Sequence, residues 1–306
     1  MRILVLGAGA IGGYFGARLL EGGADVTFLV RPARAALLAR DGLRVRSARG
    51  DFARPVRMLA APGGAFDLVL LAAKAYDLEP AIAAIAPAVG ASTRVLPLLN
   101  GIAHLDALDA AFGPSRVLGG VCHLSVTLEE DGAIRHFGTL ERLAFGDRSA
   151  AEVPARIAST LRGLGDHVVE SRDILGAMWD KFAFIATLAG ATCLMRATLG
   201  EVVATPDGAA LVRRLHDECR AVAAAAGHAL PADACAAARS VLTTPGSPLK
   251  ASMLRDLERG ARTECEHVLG DLRRRAADAG IDVPLLAAAL AHLRVHEAAR
   301  VARGAS

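Results

Sequence analysis

The fold of this chain is decided by residues 2–16, which read RILVLGAGAIGGYFG. An apolar run ends at Leu6, a glycine-rich segment follows it, and a helical pattern then continues to Leu20. A strand, a tight turn and a helix in this order, with glycines at positions 7, 9 and 12, form the dinucleotide-binding fingerprint of α/β folds. The sequence therefore predicts that the chain begins with a nucleotide-binding unit. The alternative is a glycine-rich turn that binds nothing.

The three glycines of this turn have separate tasks. Gly7 allows the tight turn, Gly9 lets the backbone approach a pyrophosphate, and Gly12 lets the helix pack closely on the strand. The N–H groups at the start of the helix face the phosphates, and the helix dipole favours their negative charge. We therefore expect the cofactor to contact the whole segment, namely Gly7, Ala8, Gly9, Ala10, Ile11 and Gly12.

Length and composition bound the class of protein. The 306 residues suit two domains of ordinary size, and a chain that is 53% apolar can bury substantial cores. The net charge of +3 comes from scattered arginines, so we predict no nucleic-acid partner. The apolar stretches are too short for a membrane span and the N-terminus reads as a core strand, so we predict a cytoplasmic protein without a membrane partner. The cysteines form no CxxC pair and the histidines lack metal-ligand spacing, which predicts reduced thiols and no metal site.

Alternating strand and helix patterns fill the first part of the chain. Continuous apolar runs such as residues 66–71 are typical of strands that are buried in a parallel sheet. The pattern predicts a Rossmann-type α/β domain over residues 1–170. We expect strands at 25–30, a strand pair within 43–60, strands at 66–71, 93–98, 117–127, 133–137, 143–146 and 167–170, and helices at 33–42, 77–89 and 151–164.

Arg31 follows the second predicted strand and indicates which nicotinamide cofactor is bound. In NAD-binding folds an acidic side chain near this point takes the ribose 2′-hydroxyl, whereas an arginine pairs with the 2′-phosphate of NADP. Asp25 lies at the beginning of the strand, too early for that role. We therefore predict NADPH/NADP+ as the cofactor, with Arg34 as a second cation near the phosphate. The alternative is a solvated arginine at a helix start.

Two polar residues follow later strands, where ligands bind in open α/β sheets. Lys74 follows the buried run 66–71, and we predict that it contacts the cofactor. Asn100 follows the strand at 93–98, and its amide is available to the nicotinamide side or to the substrate. The alternatives are a solvated loop lysine and an Asn-Gly pair that was selected only for its turn.

Beyond Ser171 strand patterns nearly vanish, and a helical domain over residues 171–306 is predicted. Lysine is scarce in the whole chain and occurs only at 74, 181 and 250. A lysine, unlike an arginine, can release a proton near neutral pH in a buried site, so Lys181 is our candidate general acid. The alternative is a lysine that extends from an amphipathic helix into solvent. We expect helices at 174–195, 209–226, from 231 onward, within 246–259, at 263–280 and at 285–302.

The sequence Thr263-Glu264-Cys265-Glu266 predicts a capping box, in which Thr263 and Glu266 start a long helix. Glu264 is then available for other work, and the helix break at Gly260 lets the chain bring Glu264 and Ser252 together. On one unbroken helix the two would lie about 18 Å apart. The alternative for Glu264 is a carboxylate that complements the helix dipole.

These features occur together and in order, and in combination they resemble the ketopantoate reductase family over nearly the whole chain. The features are GAGAIGG at 7–13, Arg31, Lys74, Asn100-Gly101, Trp179-x-Lys181, Ser252-Met253-Leu254-x-Asp256 and Arg262-Thr263-Glu264. The resemblance implies a Rossmann-type N-terminal domain and an all-α C-terminal domain similar to that of 6-phosphogluconate dehydrogenase, with the active site between them. It also implies NADPH-dependent reduction of 2-dehydropantoate (ketopantoate) to (R)-pantoate, a step of pantothenate and coenzyme A biosynthesis.

The resemblance also implies a role for each matching residue. Lys181 is the expected proton donor and contacts the substrate, and Glu264 orients it or contacts the cofactor. Ser252 and Asn100 are expected to hold the substrate, a small-molecule keto acid. Arg31 and Lys74 are expected to contact NADPH. A homodimer is one open alternative for the assembly.

The chain departs from the family pattern at three positions. Relatives carry asparagines one and two helical turns after the lysine, where this chain has Ile185 and Ala189, and another shortly before the serine, near Leu249. Apolar side chains cannot hydrogen-bond a substrate hydroxyl or carboxylate. Two alternatives therefore stay open: a reductase of the same fold for a different, more apolar 2-keto acid or ketone, and an NADPH-binding sensor without turnover.

Overall fold

The computed structural model describes residues 1–304, which form two compact units. The first unit contains Met1–Leu99 and His104–Ala177, and the second contains Asn100–Ala103 and the chain from Met178 onward. The expected domain border between residues 170 and 171 stays a prediction. Residues 305–306 of the expected second domain lie outside the described residues.

The first unit is built from strands and helices that alternate along most of its length. Its strands are β1 (Arg2–Leu6), β2 (Asp25–Leu29), β3 (Leu43–Arg46), β4 (Phe52–Arg54), β5 (Arg57–Leu59), β6 (Leu68–Leu71), β7 (Arg94–Pro97), β8 (Gly119–Leu128), β9 (Ile134–Gly146) and β10 (Val168–Glu170). Its helices are α1 (Ala10–Glu21), α2 (Pro32–Asp41), α3 (Leu78–Ile85), α4 (His104–Phe112) and α5 (Ala155–Arg162). The helix α4 lies in a stretch for which the sequence patterns gave no prediction.

A parallel sheet with the strand order β5-β2-β1-β6-β7 positions the glycine turn. Its central strands β1 and β6 are apolar and almost fully buried, as expected for a parallel sheet whose faces are both covered. The strand order reverses direction at β1, and in such sheets ligands bind at this switch point, outside the carboxyl ends of the strands. The glycine turn follows β1 at this edge, and Arg31 and Lys74 follow β2 and β6.

A second, mixed sheet has the order β10-β9-β3-β4, with β8 paired to β9. The strand pair that was predicted within 43–60 is confirmed as antiparallel β3 and β4. The prediction of two separate strands at 133–137 and 143–146 is wrong, because β9 runs through both. The β8–β9 register shifts between Leu124 and Val126, opposite residues 137–140. Such a bulge interrupts the alternation of apolar and polar side chains on which the prediction depended.

Helices make up the rest of the described chain. The limits predicted for the first of them, residues 174–195, agree with the structure, whereas α7 was not predicted. The helices are α6 (Ile174–Met195), α7 (Leu199–Val203), α8 (Gly208–Ala225), α9 (Ala232–Leu242), α10 (Ser252–Glu258), a π-helical turn (Glu266–Gly270), α11 (Asp271–Asp278) and α12 (Pro284–Ala302).

The predicted capping box at residues 263–266 is wrong. The N–H and the hydroxyl of Thr263 both bond to Oε1 of Glu297 on α12, at 2.7 Å each. The carboxylate of Glu266 instead accepts two hydrogen bonds from Arg294, at 2.7 and 2.9 Å. These contacts from α12 replace the local capping bonds. A capping box is present at the start of α7, where Thr198 and Glu201 bond to each other's backbone.

The interior of the protein is consistent with the predicted thiol state. Cys122, Cys193, Cys219, Cys235 and Cys265 are all buried and free, as predicted. Within residues 1–304 one helix, α6, is long and apolar enough to cross a membrane, but 61% of its apolar window is buried inside the protein. Such burial is typical of a core helix.

Candidate active site

The glycine turn between β1 and α1 is tight at two positions and open at one. Gly7 has φ +88°, in the region that favours glycine. A Cβ at Gly12 would lie 2.1 Å from the carbonyl oxygen of Gly7, far inside contact distance. A Cβ at Gly9 would meet nothing within 4 Å. The backbone of the glycine turn is thus closely packed at Gly12 and has open space beside it at Gly9.

The open side of the turn fits the diphosphate of a dinucleotide. Gly9 precedes α1 and offers no side chain to cap it, and the first turn of α1 contains no acidic residue. The first N–H groups of a helix have no partner within the helix, and they attract anions together with the helix dipole. The residues of this segment therefore suit a bound diphosphate both in shape and in charge.

The cations near the turn differ in how they are held. The side chain of Arg31 is 74% exposed and forms an ion pair with Asp77 at 2.8 Å. Exposed ion pairs of this kind contribute little to stability. A phosphate can therefore compete with Asp77 for the guanidinium. Lys74 is exposed and precedes the short 3-10 turn that carries Asp77. Arg34 donates to the backbone carbonyls of Ala8 and Gly132, and its expected support of the 2′-phosphate stays a prediction.

A second candidate region lies around Lys181 in the second unit. Lys181 is half-buried on α6, and its Nζ donates a hydrogen bond to Oδ1 of Asn100 at 3.1 Å. An ammonium group has three N–H donors, so this bond fixes the direction of the amine and leaves two donors for other acceptors. The structure therefore brings together two of the predicted site residues, which lie 81 positions apart in the chain.

His267 in the π-helical turn joins this group, although the sequence analysis did not select it. Burial lowers the pKa of His267, while the carboxylates of Glu264 and Asp271 and a hydrogen bond to the backbone of Asn100 oppose that shift. A partner that raises the pKa of an imidazole accepts from it, so the ring donates to the Asn100 carbonyl. The ring is thus hydrogen-bonded to the backbone of Asn100 and lies within the electrostatic influence of the Glu264 carboxylate. Its position three residues after Glu264 was the signal in the sequence.

The Asn100-Gly101 turn is closely packed at Gly101. Gly101 has φ +75°, and a Cβ there would lie 3.2 Å from the carbonyl oxygen of His267 and 3.3 Å from its ring carbon Cδ2. The ring of Phe182, next to Lys181 on α6, would be 3.5 Å away. The Asn100-Gly101 turn is therefore held between α6 and the π-helical turn, and only glycine fits the position without strain.

Models of one known protein family match both parts of the chain. A family model described as "Ketopantoate reductase PanE/ApbA" matches residues 3–150, and the model of its C-terminal part matches residues 173–297. This chain belongs to the ketopantoate reductase family. As a member of that family the chain is an oxidoreductase, which confirms the prediction of an enzyme.

Several relatives match this ketopantoate reductase family member over more than nine tenths of its length. An uncharacterized oxidoreductase of Bacillus subtilis is 36% identical, with 97% of this chain and 99% of that protein covered. A 2-dehydropantoate 2-reductase of Archaeoglobus fulgidus is 31% identical, with 92% of each covered. The crystal structure of 2-dehydropantoate 2-reductase from Geobacter metallireducens has a TM-score of 0.87 at 30% identity and covers 96% of this chain and 99% of that chain. These likenesses confirm the predicted fold, a parallel-sheet α/β domain followed by a helical domain.

The face of α6 beyond Lys181 is apolar in this ketopantoate reductase family member. Ile185 and Ala189 lie one and two turns further along the helix, half-buried and buried. One turn later, Oγ1 of Thr192 accepts a hydrogen bond from the N–H of Ala251 at 3.4 Å. Thr192 is about 16 Å from Lys181 along the helix axis, so this polar group is too far from the Lys181 amine to contact it.

The predicted site residue Ser252 lies on α10, and its role in the site stays a prediction. It is exposed at the start of α10, directly after Ala251, and no hydrogen bond joins it to Asn100 or Lys181 in the described part of the chain. Within residues 1–304 no group of three His, Cys, Asp or Glu side chains has the arrangement of a metal site.

Proposed function

We propose that the chain uses NADPH to reduce 2-dehydropantoate to (R)-pantoate, a step of pantothenate and coenzyme A biosynthesis. The observation that carries the proposal is the hydrogen bond between the Lys181 amine and the Asn100 side chain. A ketone reductase needs a proton donor that is held in a fixed direction, and this pair supplies one. The relatives named 2-dehydropantoate 2-reductase support the choice of substrate.

We assign the dinucleotide cofactor to residues 7–12 in the N-terminal domain, residues 1–170. The open backbone at Gly9 supports a pyrophosphate there. We assign the 2′-phosphate to Arg31 and Lys74, because guanidinium and ammonium groups pair with phosphate. When bound, NADPH supplies a hydride to the substrate.

The chemical step adds a hydride to the carbonyl carbon and a proton to the carbonyl oxygen. Lys181 donates a hydrogen bond to that oxygen, stabilises the negative charge that develops on it and passes one proton to it. Asn100 holds the amine in place and contacts the nicotinamide side or the substrate. Glu264 orients Lys181 or contacts the cofactor, and Ser252 holds the far end of the substrate. Lys181, Glu264 and Ser252 assign catalysis and most of the substrate binding to the helical domain, residues 171–306, whereas Asn100 comes from residues 1–170.

A substrate panel tests this proposal directly. Purified protein is mixed with NADPH and with 2-dehydropantoate or one of several other 2-keto acids, and the loss of NADPH absorbance gives kcat/KM for each. We expect 2-dehydropantoate to have the highest kcat/KM. A value no better than that of the other acids contradicts the proposal, and turnover of any substrate excludes a sensor without activity.

A second candidate function is the reduction of a more apolar 2-keto acid or ketone with the same residues. The observation that favours it is the apolar face formed by Ile185 and Ala189 after Lys181, together with Leu249. Each lost hydrogen bond to a substrate hydroxyl or carboxylate costs about 1 to 3 kcal/mol of discrimination. In the same panel this candidate predicts that 2-keto acids with branched or aromatic side chains exceed 2-dehydropantoate. Either candidate takes a small keto compound as its partner, and a cytoplasmic location is part of both.

A further inference from the structure

Arg34 on α2 connects two backbone segments that the sequence does not place together. Its Nε donates to the carbonyl oxygen of Ala8, in the glycine turn, at 2.8 Å. Its Nη1 donates to the carbonyl oxygen of Gly132, in the turn between β8 and β9, also at 2.8 Å. One guanidinium group therefore holds the glycine turn of the first sheet and the hairpin of the second sheet at a fixed distance.

The guanidinium of Arg34 faces the protein and not the solvent. Its third nitrogen, Nη2, is buried and has no hydrogen-bond partner in the described part of the chain. Burial lowers the pKa of Arg34, and the nearby charge of Arg44 adds to that shift. A phosphate that approaches from solvent cannot reach this nitrogen unless the side chain moves. Arg31, with 74% of its side chain exposed, presents the opposite case.

The bond to Ala8 has a direct consequence for the glycine turn. The carbonyl group of Ala8 and the N–H group of Gly9 belong to the same planar peptide unit and point in opposite directions. When the oxygen is held by Arg34, the direction of the Gly9 N–H is fixed as well. Gly9 is the residue at which the turn is open, where a Cβ would meet nothing within 4 Å.

We propose that Arg34 is a positioning residue of the dinucleotide site, which holds the Ala8–Gly9 peptide so that its N–H group is presented to the cofactor diphosphate. This inference rests on the proposed function, because that function assigns the dinucleotide to the glycine turn. It differs from a role in reading the 2′-phosphate, since the diphosphate is common to NADH and NADPH. The loss of Arg34 therefore affects both cofactors equally.

The test compares the binding of both cofactors to Arg34→Met, which keeps the length of the side chain and removes the guanidinium. Titrations followed by nicotinamide fluorescence give Kd for NADPH and NADH. We expect both values to rise by the same factor, about tenfold to a hundredfold, as for lost hydrogen bonds to a charged group. At saturating NADPH, kcat stays near the wild-type value. Arg31→Ala serves as the contrast, with an expected loss for NADPH alone.

A matched control separates positioning of Ala8 from general support of the hairpin. Arg46 on β3 bonds to Glu129 and Asp131 of the same hairpin turn but does not contact Ala8. We expect Arg46→Met to leave both Kd values unchanged. If Arg34→Met fails to fold, Arg34→Lys is measured instead; one ammonium cannot repeat both bonds of the fork, so we expect a smaller but equal weakening for the two cofactors.

The outcomes separate this inference from the proposed function. A loss confined to NADPH in Arg34→Met identifies a phosphate ligand and overturns the positioning role, as do unchanged Kd values or an equal effect of Arg46→Met. In each of these cases the wild-type protein still binds NADPH, so the proposed function stands. A wild-type protein that binds neither cofactor contradicts the proposed function and this inference with it.

Discussion

The glycine turn and the group around Lys181 are built in opposite ways. The turn is a run of six consecutive residues whose shape depends on the absence of side chains at Gly7 and Gly12. The group joins Asn100, Lys181 and His267, which lie far apart in the chain, through hydrogen bonds between side chains and backbone. A site of the first kind is broken by adding a methyl group, and a site of the second kind is broken by removing a polar atom.

The largest expected effect is that of Gly12→Ala in the turn. The new Cβ would lie 2.1 Å from the carbonyl oxygen of Gly7, so the helix must move away from the strand. We expect a loss of about 3 kcal/mol in the free energy of unfolding, as for an overpacked core, and loss of NADPH binding. Urea unfolding and cofactor titration measure the two effects.

Gly9→Ala is the matched control for Gly12→Ala. A Cβ at Gly9 would meet no protein atom within 4 Å, so we expect a change in stability below about 0.5 kcal/mol. The methyl group occupies the space assigned to the pyrophosphate, so NADPH binding still weakens. Unchanged NADPH binding in Gly9→Ala would remove the pyrophosphate from this turn.

Gly101→Ala tests the group around Lys181 by the same kind of change. The substitution forces a side chain into φ +75° and against His267, so the turn shifts and Asn100 moves relative to Lys181. We expect kcat to fall about tenfold, through loss of one oriented hydrogen bond, while Kd for NADPH changes less than kcat because the glycine turn is intact. Steady-state kinetics and cofactor titration provide the two numbers.

Gly280→Ala controls for the backbone strain of Gly101→Ala. Gly280 also has a positive φ, +68°, but a Cβ there would meet nothing within 4 Å. We expect both variants to lose about 1 kcal/mol of stability, and only Gly101→Ala to lose turnover. Equal turnover of the two variants would mean that the Asn100-Gly101 turn does not position the catalytic amine.

The glycine turn is one contiguous segment, whereas the group around Lys181 is assembled from distant residues. The sequence therefore predicts the two regions to different extents. The glycine turn was predicted residue by residue, because a contiguous pattern fixes its own geometry. Lys181 was selected for its chemistry and rarity, and its bond to Asn100 became visible only in the fold. His267 was missed because, beyond its place three residues after Glu264, the sequence does not show that its partner is the distant backbone of Asn100. Thr263 was assigned to a local cap, but Glu297 on a later helix bonds to it instead.

A smaller effect distinguishes the two regions by pH. The residues of the glycine turn carry no ionisable side chain, whereas burial lowers the pKa of His267 from 6.5. Below about pH 6.5 the unfolded chain takes up this proton before the folded protein does, so the stability contributed by neutral His267 is present above that pH and is lost as the pH falls.

The comparison of wild type with His267→Gln measures this effect. We expect the wild type to lose more stability than the variant between about pH 7 and about pH 5.5, with a difference of up to about 1 kcal/mol in urea unfolding. His216, whose pKa burial lowers to about 4, titrates in the same direction in both proteins and cancels in the difference. A steeper loss in the variant than in the wild type would contradict this account of His267.

The most direct test of the division of work between the two regions is Lys181→Ala, measured for NADPH binding and for turnover in the same preparation. We expect Kd for NADPH to stay at the wild-type value, because the glycine turn is intact, and kcat to fall about a hundredfold or more, because the proton donor is lost. Lys181→Arg, which keeps the charge but does not release a proton, is expected to remain slow as well. Turnover of Lys181→Ala at the wild-type rate would show that Lys181 is not the proton donor.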